Sequence, residues 1–153
     1  MRVHQFEQEQ VLPIGLDEAW EFFSTPRNLD AITPDELAFR IERCDEGPMF
    51  EGQIITYRIR LAPLVWTRWV TEIKAVEPRR AFVDEQRAGP YRFWHHRHSF
   101  EEVAGGVRMC DVVNYAIGFG PVGELAHVLF VRKELRRIFG YRREILEKRF
   151  GKG

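Results

Sequence analysis

The chain has 153 residues, and its 23 Lys+Arg balance 23 Asp+Glu to a formal net charge of zero. That length favours one domain over residues 1–153, large enough to need no metal or disulfide staple. The charge balance speaks against a dedicated nucleic-acid-binding module and against an acidic disordered tail.

Aromatic residues make up 13% of the chain, which implies a large apolar interior or a smaller core with a cavity. No apolar run approaches the roughly 20 residues of a membrane span. The segment from Met1 to Glu9 lacks the apolar stretch of a secretion signal. Cys44 and Cys110 form no Cys-x-x-Cys pair and read as two free thiols, so the expected location is the cytoplasm.

In chain order, Val3 to Leu12 reads as a polar, half-exposed strand, punctuated by Pro13 and Gly15. A short helix follows over Leu16–Phe23, with Asp17 and Glu18 in its first turn and Leu16, Ala19, Trp20 and Phe23 on one face. Pro26 stops it and can open a second short helix, Arg27 to Ile32. Six candidate strands come next: Ala38–Cys44, Gly52–Leu61, Val65–Val76, Ala81–Ala88, Phe93–Val103 and Val107–Ile117. Short Gly- and Pro-marked turns between them predict an antiparallel meander. Leu125, Val128, Leu135, Ile138, Phe139, Ile145 and Leu146 then recur at helical spacing, predicting a long helix over Gly123–Lys148, with Gly140 its weak point. The order defines an α+β class. A seven-stranded antiparallel sheet wrapped around one long helix leaves space between the two.

This order, over essentially the whole chain, resembles the helix-grip fold of the START/SRPBCC superfamily. Its members include polyketide cyclases, the birch-pollen allergen family and coenzyme-Q-binding proteins. The segments Phe82-Val-Asp-Glu-Gln-Arg-Ala-Gly-Pro-Tyr91, Trp94-His-His-Arg-His-Ser-Phe100, Gly118-Phe-Gly-Pro-Val-Gly123 and Leu135-Arg-Arg-Ile-Phe-Gly-Tyr-Arg142 are similar to a bacterial group of small proteins in it. The resemblance implies a ligand cavity. It supplies no catalytic motif that maps onto this chain.

Strand alternation selects the cavity-facing residues. Around a Pro78-Arg79 turn, the less charged face collects Trp69, Thr71, Ile73 and Ala75 with Phe82, Asp84, Gln86 and Ala88. Around a Gly105-Gly106 turn, the more apolar face collects Trp94, His96, His98, Phe100 and Glu102 with Met109, Asp111, Val113, Tyr115 and Ile117. That register sets His96 opposite Tyr115, His98 opposite Val113 and Asp111 diagonal to His98. Arg142 falls on the apolar stripe of the long helix between Leu135, Phe139 and Leu146, placed to reach Asp84, Asp111 or a ligand carboxylate.

Buried without partners, these polar groups would cost several kcal/mol together. They therefore satisfy one another, water or a ligand. His95-His96-x-His98 has metal-ligand spacing, with Asp84 or Asp111 as a third ligand. A hydrogen-bonded network explains it as well, and no metal or cofactor is expected. His98 with Asp111 is the candidate acid/base pair. Gly118-x-Gly-x-x-Gly123 matches a dinucleotide fingerprint as text, but no parallel βαβ unit surrounds it, so it reads as a turn.

The expected function is non-covalent binding, transport or sequestration of a small, mostly apolar molecule with one polar or acidic end. Trp69, Trp94, Phe100, Val113 and Phe139 would form the apolar wall. His96, His98, Asp111, Tyr115 and Arg142, with Asp84 and Gln86, would form the polar one. The alternatives are a cyclase, aromatase or dehydratase using His98 and Asp111, and an interaction module with a filled core. Residues 121–149 carry a charge of +4 against −5 for residues 1–120. The basic C-terminal helix thus has two readings, a solvated face or transient contact with an anionic membrane surface.

Overall fold

The computed structural model describes all residues, Met1–Gly153. Seven strands form one antiparallel sheet: β1 (His4–Leu12), β2 (Arg40–Arg43), β3 (Ile54–Ala62), β4 (Val65–Glu77), β5 (Ala81–Ala88), β6 (Phe93–Val103) and β7 (Gly106–Ala116). Their spatial order is β1-β7-β6-β5-β4-β3-β2, so each strand from β2 to β7 pairs with its sequence neighbour and β1 adds beside β7. The helix α1 (Leu16–Phe23) and two 3₁₀ segments, Pro26–Ile32 and Asp35–Leu37, connect β1 to β2. This is the α+β arrangement expected from the sequence.

The long helix is less regular than its periodicity predicts. It runs as α2 (Gly120–Ala126), a π-helical turn (His127–Val131) and α3 (Arg132–Phe150). Gly140 leaves no break. Leu125 and Val128, expected on the buried stripe, are exposed. The π turn explains this: one inserted residue rotates everything before it by about 100° relative to the helix that follows. Gly123 and His127 are buried in their place, in line with Leu135, Phe139 and Leu146.

Helix α3 is fastened to β1 by polar as well as apolar contacts. Gln8 Nε2 donates to the Phe139 carbonyl at 3.0 Å, and Gln10 Nε2 to that of Arg143 at 3.0 Å. Arg143 Nη1 donates to the Glu9 carbonyl at 2.8 Å. The far end of the helix buries Leu146 with Leu12, Ala19, Phe22 and Phe100, so α1 and α3 share one core. Cys44 and Cys110 are both free.

Two hairpins depart from the expected registers. In the β6–β7 hairpin Val103 pairs with Gly106, so the turn is Ala104-Gly105. Gly105, with φ 86°, supplies the left-handed residue. Gly106 is needed for a different reason: a Cβ there would lie 1.9 Å from the Leu12 carbonyl oxygen on β1. The pairing shifts by two residues, which keeps the inner face and changes every partner. His98 stands opposite Asp111, His96 opposite Val113 and Trp94 opposite Tyr115. In the β4–β5 hairpin Glu77 pairs with Ala81, which sets Val76 opposite Phe82, and a bulge between Ile73 and Ala75 then brings Ile73 opposite Asp84.

Gly123 packs against the chain where β7 enters the helix; a Cβ there would meet the Gly118 carbonyl oxygen at 1.8 Å. Gly140 has nothing within 4 Å of its Cβ position. Gly123→Ala should therefore destabilise the fold by about 1–3 kcal/mol. Gly140→Ala should stabilise it by about 0.5–1 kcal/mol. Urea denaturation of the two variants measures both signs.

Candidate functional site

Three strands and one helix bring five charged or titratable side chains together in the interior. Asp84 comes from β5, His96 and His98 from β6, Asp111 from β7 and Arg142 from α3. Alternation on β6 aims both imidazoles inward, and their rings stack with centroids 3.7 Å apart. His98 Nε2 lies 2.7 Å from Asp84 Oδ2, and its Nδ1 lies 3.3 Å from Asp111 Oδ1. His98 Nε2 is hydrogen-bonded to Asp84, and the second carboxylate beside its Nδ1 favours the protonated ring. His96 Nε2 donates to Asp111 Oδ1 at 2.8 Å.

The electrostatics agree with this assignment. Burial lowers the pKa of His98, but bonds to Asp111 and Asp84 outweigh it and the net direction is up. For His96, burial and the neighbouring His98 charge together prevail over Asp111 and Asp84, and it is held neutral. Burial raises Asp84 and Asp111, yet the two histidines bring both below the usual carboxylate range. Arg142 Nη1 lies 3.9 Å from Asp111 Oδ1, and the guanidinium sits 4.7 Å over the Phe139 ring. With His98 protonated, two carboxylates, one imidazolium and one guanidinium cancel. Arg142 Nε is buried and finds no acceptor in the protein. Atoms of Asp84, His96 and His98 lie within 4.8 Å of one another, a separation that a metal could span. Here His96 Nε2 is bonded to Asp111 and His98 Nε2 to Asp84, with Arg142 as the nearby fixed cation.

The network divides the interior. On one side is a cavity of about 250 Å³ between the sheet and α3. Its apolar wall includes Phe39, Leu61, Trp69, Tyr91, Trp94 and Phe139, and its polar wall includes Asp84, His96, His98 and Arg142. On the other side is a smaller hollow of about 60 Å³, reached by Asp84, His98, Asp111, Arg142 and Phe100. Trp69 and Trp94 meet edge to face at 5.1 Å and stiffen the larger wall.

Of the residues expected at the site, Trp69, Asp84, Trp94, His96, His98, Phe139 and Arg142 line the larger cavity. Phe100 and Asp111 face the smaller hollow. The other three lie elsewhere. Val113 is fully buried in the packing between Trp94, Tyr115, Leu135 and Phe139. Gln86 spends its amide on the backbone of Tyr91, donating at 2.6 Å and accepting at 3.0 Å, which pins the β5–β6 turn. The Tyr115 hydroxyl is 2.8 Å from His127 Nε2, and the His127 ring stacks on His4 at 3.6 Å. The two-residue shift sets His98 opposite Asp111, but Asp84 is the nearer carboxylate: the β5–β6 register pairs it with His96, and it reaches His98 diagonally.

Tyr57, Phe39 and Leu61 were not anticipated. Tyr57 and Ile59 alternate on β3 as an inward face, a signal that inspection of β3 as a hairpin partner would have given. Burial, reinforced by Asp84, raises the Tyr57 pKa and keeps its hydroxyl neutral. Leu29 and Leu37 enter the wall from the 3₁₀ segments, and Thr33 from the link between them. These carry no periodicity that would mark an inner face.

No protein-family model matches the sequence, and no curated protein matches it. Solved structures do. TTHA0849 from Thermus thermophilus matches with TM-score 0.73 at 15% identity, covering 96% of this chain and 97% of that one. Ara h 8.0201 matches with TM-score 0.63 at 18% identity, covering 96% and 99%. The Zhui aromatase/cyclase from Streptomyces sp. R1128 matches with TM-score 0.66 at 11% identity, covering 96% of each. The chain has the helix-grip fold, as its sequence resemblance implied. At these identities the likeness concerns the fold and carries no activity.

The network makes stability depend on pH with a definite sign. Depressed carboxylates contribute stability above their ordinary pKa near 4, which is lost as pH falls through their folded values. His98, with a raised pKa, contributes below about 6.5 and loses that contribution as pH rises through its folded value. Neutral His96 works oppositely, contributing above about 6.5 and losing it on acidification. Asp111→Asn should destabilise the protein by about 3 kcal/mol at neutral pH and flatten the acid branch. Urea titrations across pH measure this, and imidazole NMR should show His98 holding its proton to higher pH than His96, with the difference reduced in the variant.

Proposed function

We propose that the protein binds a small, mostly apolar molecule bearing a neutral hydrogen-bonding group, and carries or sequesters it in the larger cavity. The observation that carries this reading is the buried Arg142 Nε, a donor without a protein acceptor beside an aromatic-lined cavity. An unsatisfied buried donor costs about 1–3 kcal/mol, which a ligand oxygen can recover. Charge balance then selects the kind of oxygen. With His98 protonated, the carboxylates already match it and Arg142, so an acidic ligand would add an uncompensated buried charge. A hydroxyl or carbonyl adds none. The open cavity speaks against the alternative of an interaction module with a filled core.

Native mass spectrometry of freshly purified protein, followed by denaturation, should release a bound species of a few hundred daltons. Calorimetry provides the direct comparison: 2-naphthol should bind at least about tenfold more tightly than 2-naphthoate, equivalent to about 1.4 kcal/mol. Arg142→Met should weaken 2-naphthol severalfold while the circular dichroism spectrum is retained. A preference for the carboxylate would overturn the neutral-ligand assignment. No bound species and no probe binding would overturn the carrier reading.

One observation favours a second reading. His98 lies at the cavity wall with Nε2 bonded to Asp84 and Nδ1 only 3.3 Å from Asp111, so a protonated ring could donate from Nδ1 to a ligand carbonyl oxygen by exchanging that longer contact. The aromatase/cyclase among the structural neighbours makes a poly-β-ketone a reasonable substrate to test. Conversion by the wild type and loss of conversion in His98→Gln, with binding retained, would make the protein an enzyme. Conversion that persists in His98→Gln would exclude this acid.

A further inference from the structure

Three chain segments meet at one end of the sheet. Ala62 pairs with Val65 at the β3–β4 turn, and Val70 with Ala88, so residues 65–69 project past the end of β5. Phe93 pairs with Ala116, and Arg92 N–H bonds to the Ala116 carbonyl, which brings the β5–β6 turn beside the start of α2. The larger cavity opens at this end, where Leu61, Pro90 and Glu134 are both lining and exposed.

The tips of these segments are apolar. Leu64 is 96% exposed, Phe119 88% and Phe130 68%, with Val122, Leu125 and Val128 exposed beside them. Leu64 and Phe119 also hold left-handed backbone, φ 65° and 69°, where glycine or asparagine would fit with less strain. Around them stand Arg58, Arg92, Arg132 and Lys133, all exposed, with Arg58 stacked on Trp66 at 5.1 Å. Of the acids nearby, Glu36 and Glu134 share Arg137 and Glu124 bonds His4, whereas the exposed Asp35 forms no ion pair.

We infer that this apolar-tipped, basic-rimmed end docks on an anionic lipid bilayer. The charge pattern favours a membrane over a second copy of the chain, because a two-fold dimer through this end would oppose two basic rims. Lipid headgroups complement the rim, and Leu64, Phe119 and Phe130 can enter the acyl boundary. No helix is long and apolar enough to cross the bilayer, so the contact is peripheral. The surface differs from the basic face anticipated along the C-terminal helix: it lies at the helix's beginning and on the β3–β4 hairpin. It places the cavity mouth against the lipid.

The test is flotation with phosphatidylcholine vesicles, with and without about one third phosphatidylglycerol. The wild type should float with the anionic vesicles, less with the neutral ones, and should be released at high salt. Leu64→Asn combined with Phe119→Asn should lose at least tenfold in partitioning with no loss of thermal stability, since asparagine tolerates left-handed backbone. Wild-type protein that stays unbound in both vesicle types, or an unchanged double variant, would overturn the inference. So would a micromolar dimer in sedimentation that the double variant dissolves. Binding of 2-naphthol is unaffected by either result, so a failure here is separable from a failure of the carrier reading.

Discussion

The structure depends on His98, held between two buried carboxylates. Removing charges from water is costly, and a buried pair is maintained only when its partners are correctly placed. Here the partners come from three adjacent strands and from the helix across the cavity. A change in the β6–β7 register by one residue would turn His98 to the outer face and leave Asp111 without its second donor. The network therefore specifies the pairing of β5, β6 and β7 and the docking of α3 together. It links the centre of the sheet to the centre of the helix, where apolar contact alone would allow sliding.

The same network explains why the interior has two compartments. A continuous apolar core would have filled the space between a curved sheet and a single helix. Hydrated or ligand-bonded polar groups resist such collapse, because closing over Arg142 Nε without an acceptor is unfavourable. On the side of the smaller hollow, Phe82 stacks on His98 at 4.0 Å, and the apolar core begins there. On the other side Trp69, Tyr91 and Trp94 stand as a stiff aromatic wall. Polar groups thus mark the boundary between the part of the interior that packs and the part that remains open.

The alternation of apolar and polar residues made the strands and their inner faces legible in the sequence, and with them Trp69, Asp84, Trp94, His96 and His98. Partners across strands were less legible, because the two glycines at 105 and 106 have different duties. One makes the turn and the other admits β1, and the sequence shows only two adjacent glycines. Gln86 and Tyr115 occupy inner-face positions by parity, yet each reaches the end of its strand and bonds locally, to Tyr91 and His127. Parity gives a direction from the backbone and says nothing of how far along the strand the cavity extends. The 3₁₀ segments contribute wall residues without any repeating pattern.

The helix shows a different limit of periodicity. Leu125 and Val128 satisfy a helical repeat with Leu135 only if the helix is regular throughout. The π turn at His127–Val131 breaks that phase, and buries His127 where an unbroken α-helix would place neighbouring apolar side chains. His127 is held there by Tyr115, and His4, stacked on it, by Glu124. A few polar contacts thus rotate the beginning of the helix so that its apolar residues face outward. The zero net charge of the chain conceals a related separation. Charges of opposite sign face one another around His98, whereas Arg58, Arg92, Arg132 and Lys133 at the cavity mouth form no ion pair. The same helix supplies Arg142 to the balanced interior and Arg132 and Lys133 to the unbalanced rim, so its phase fixes the chemistry of both.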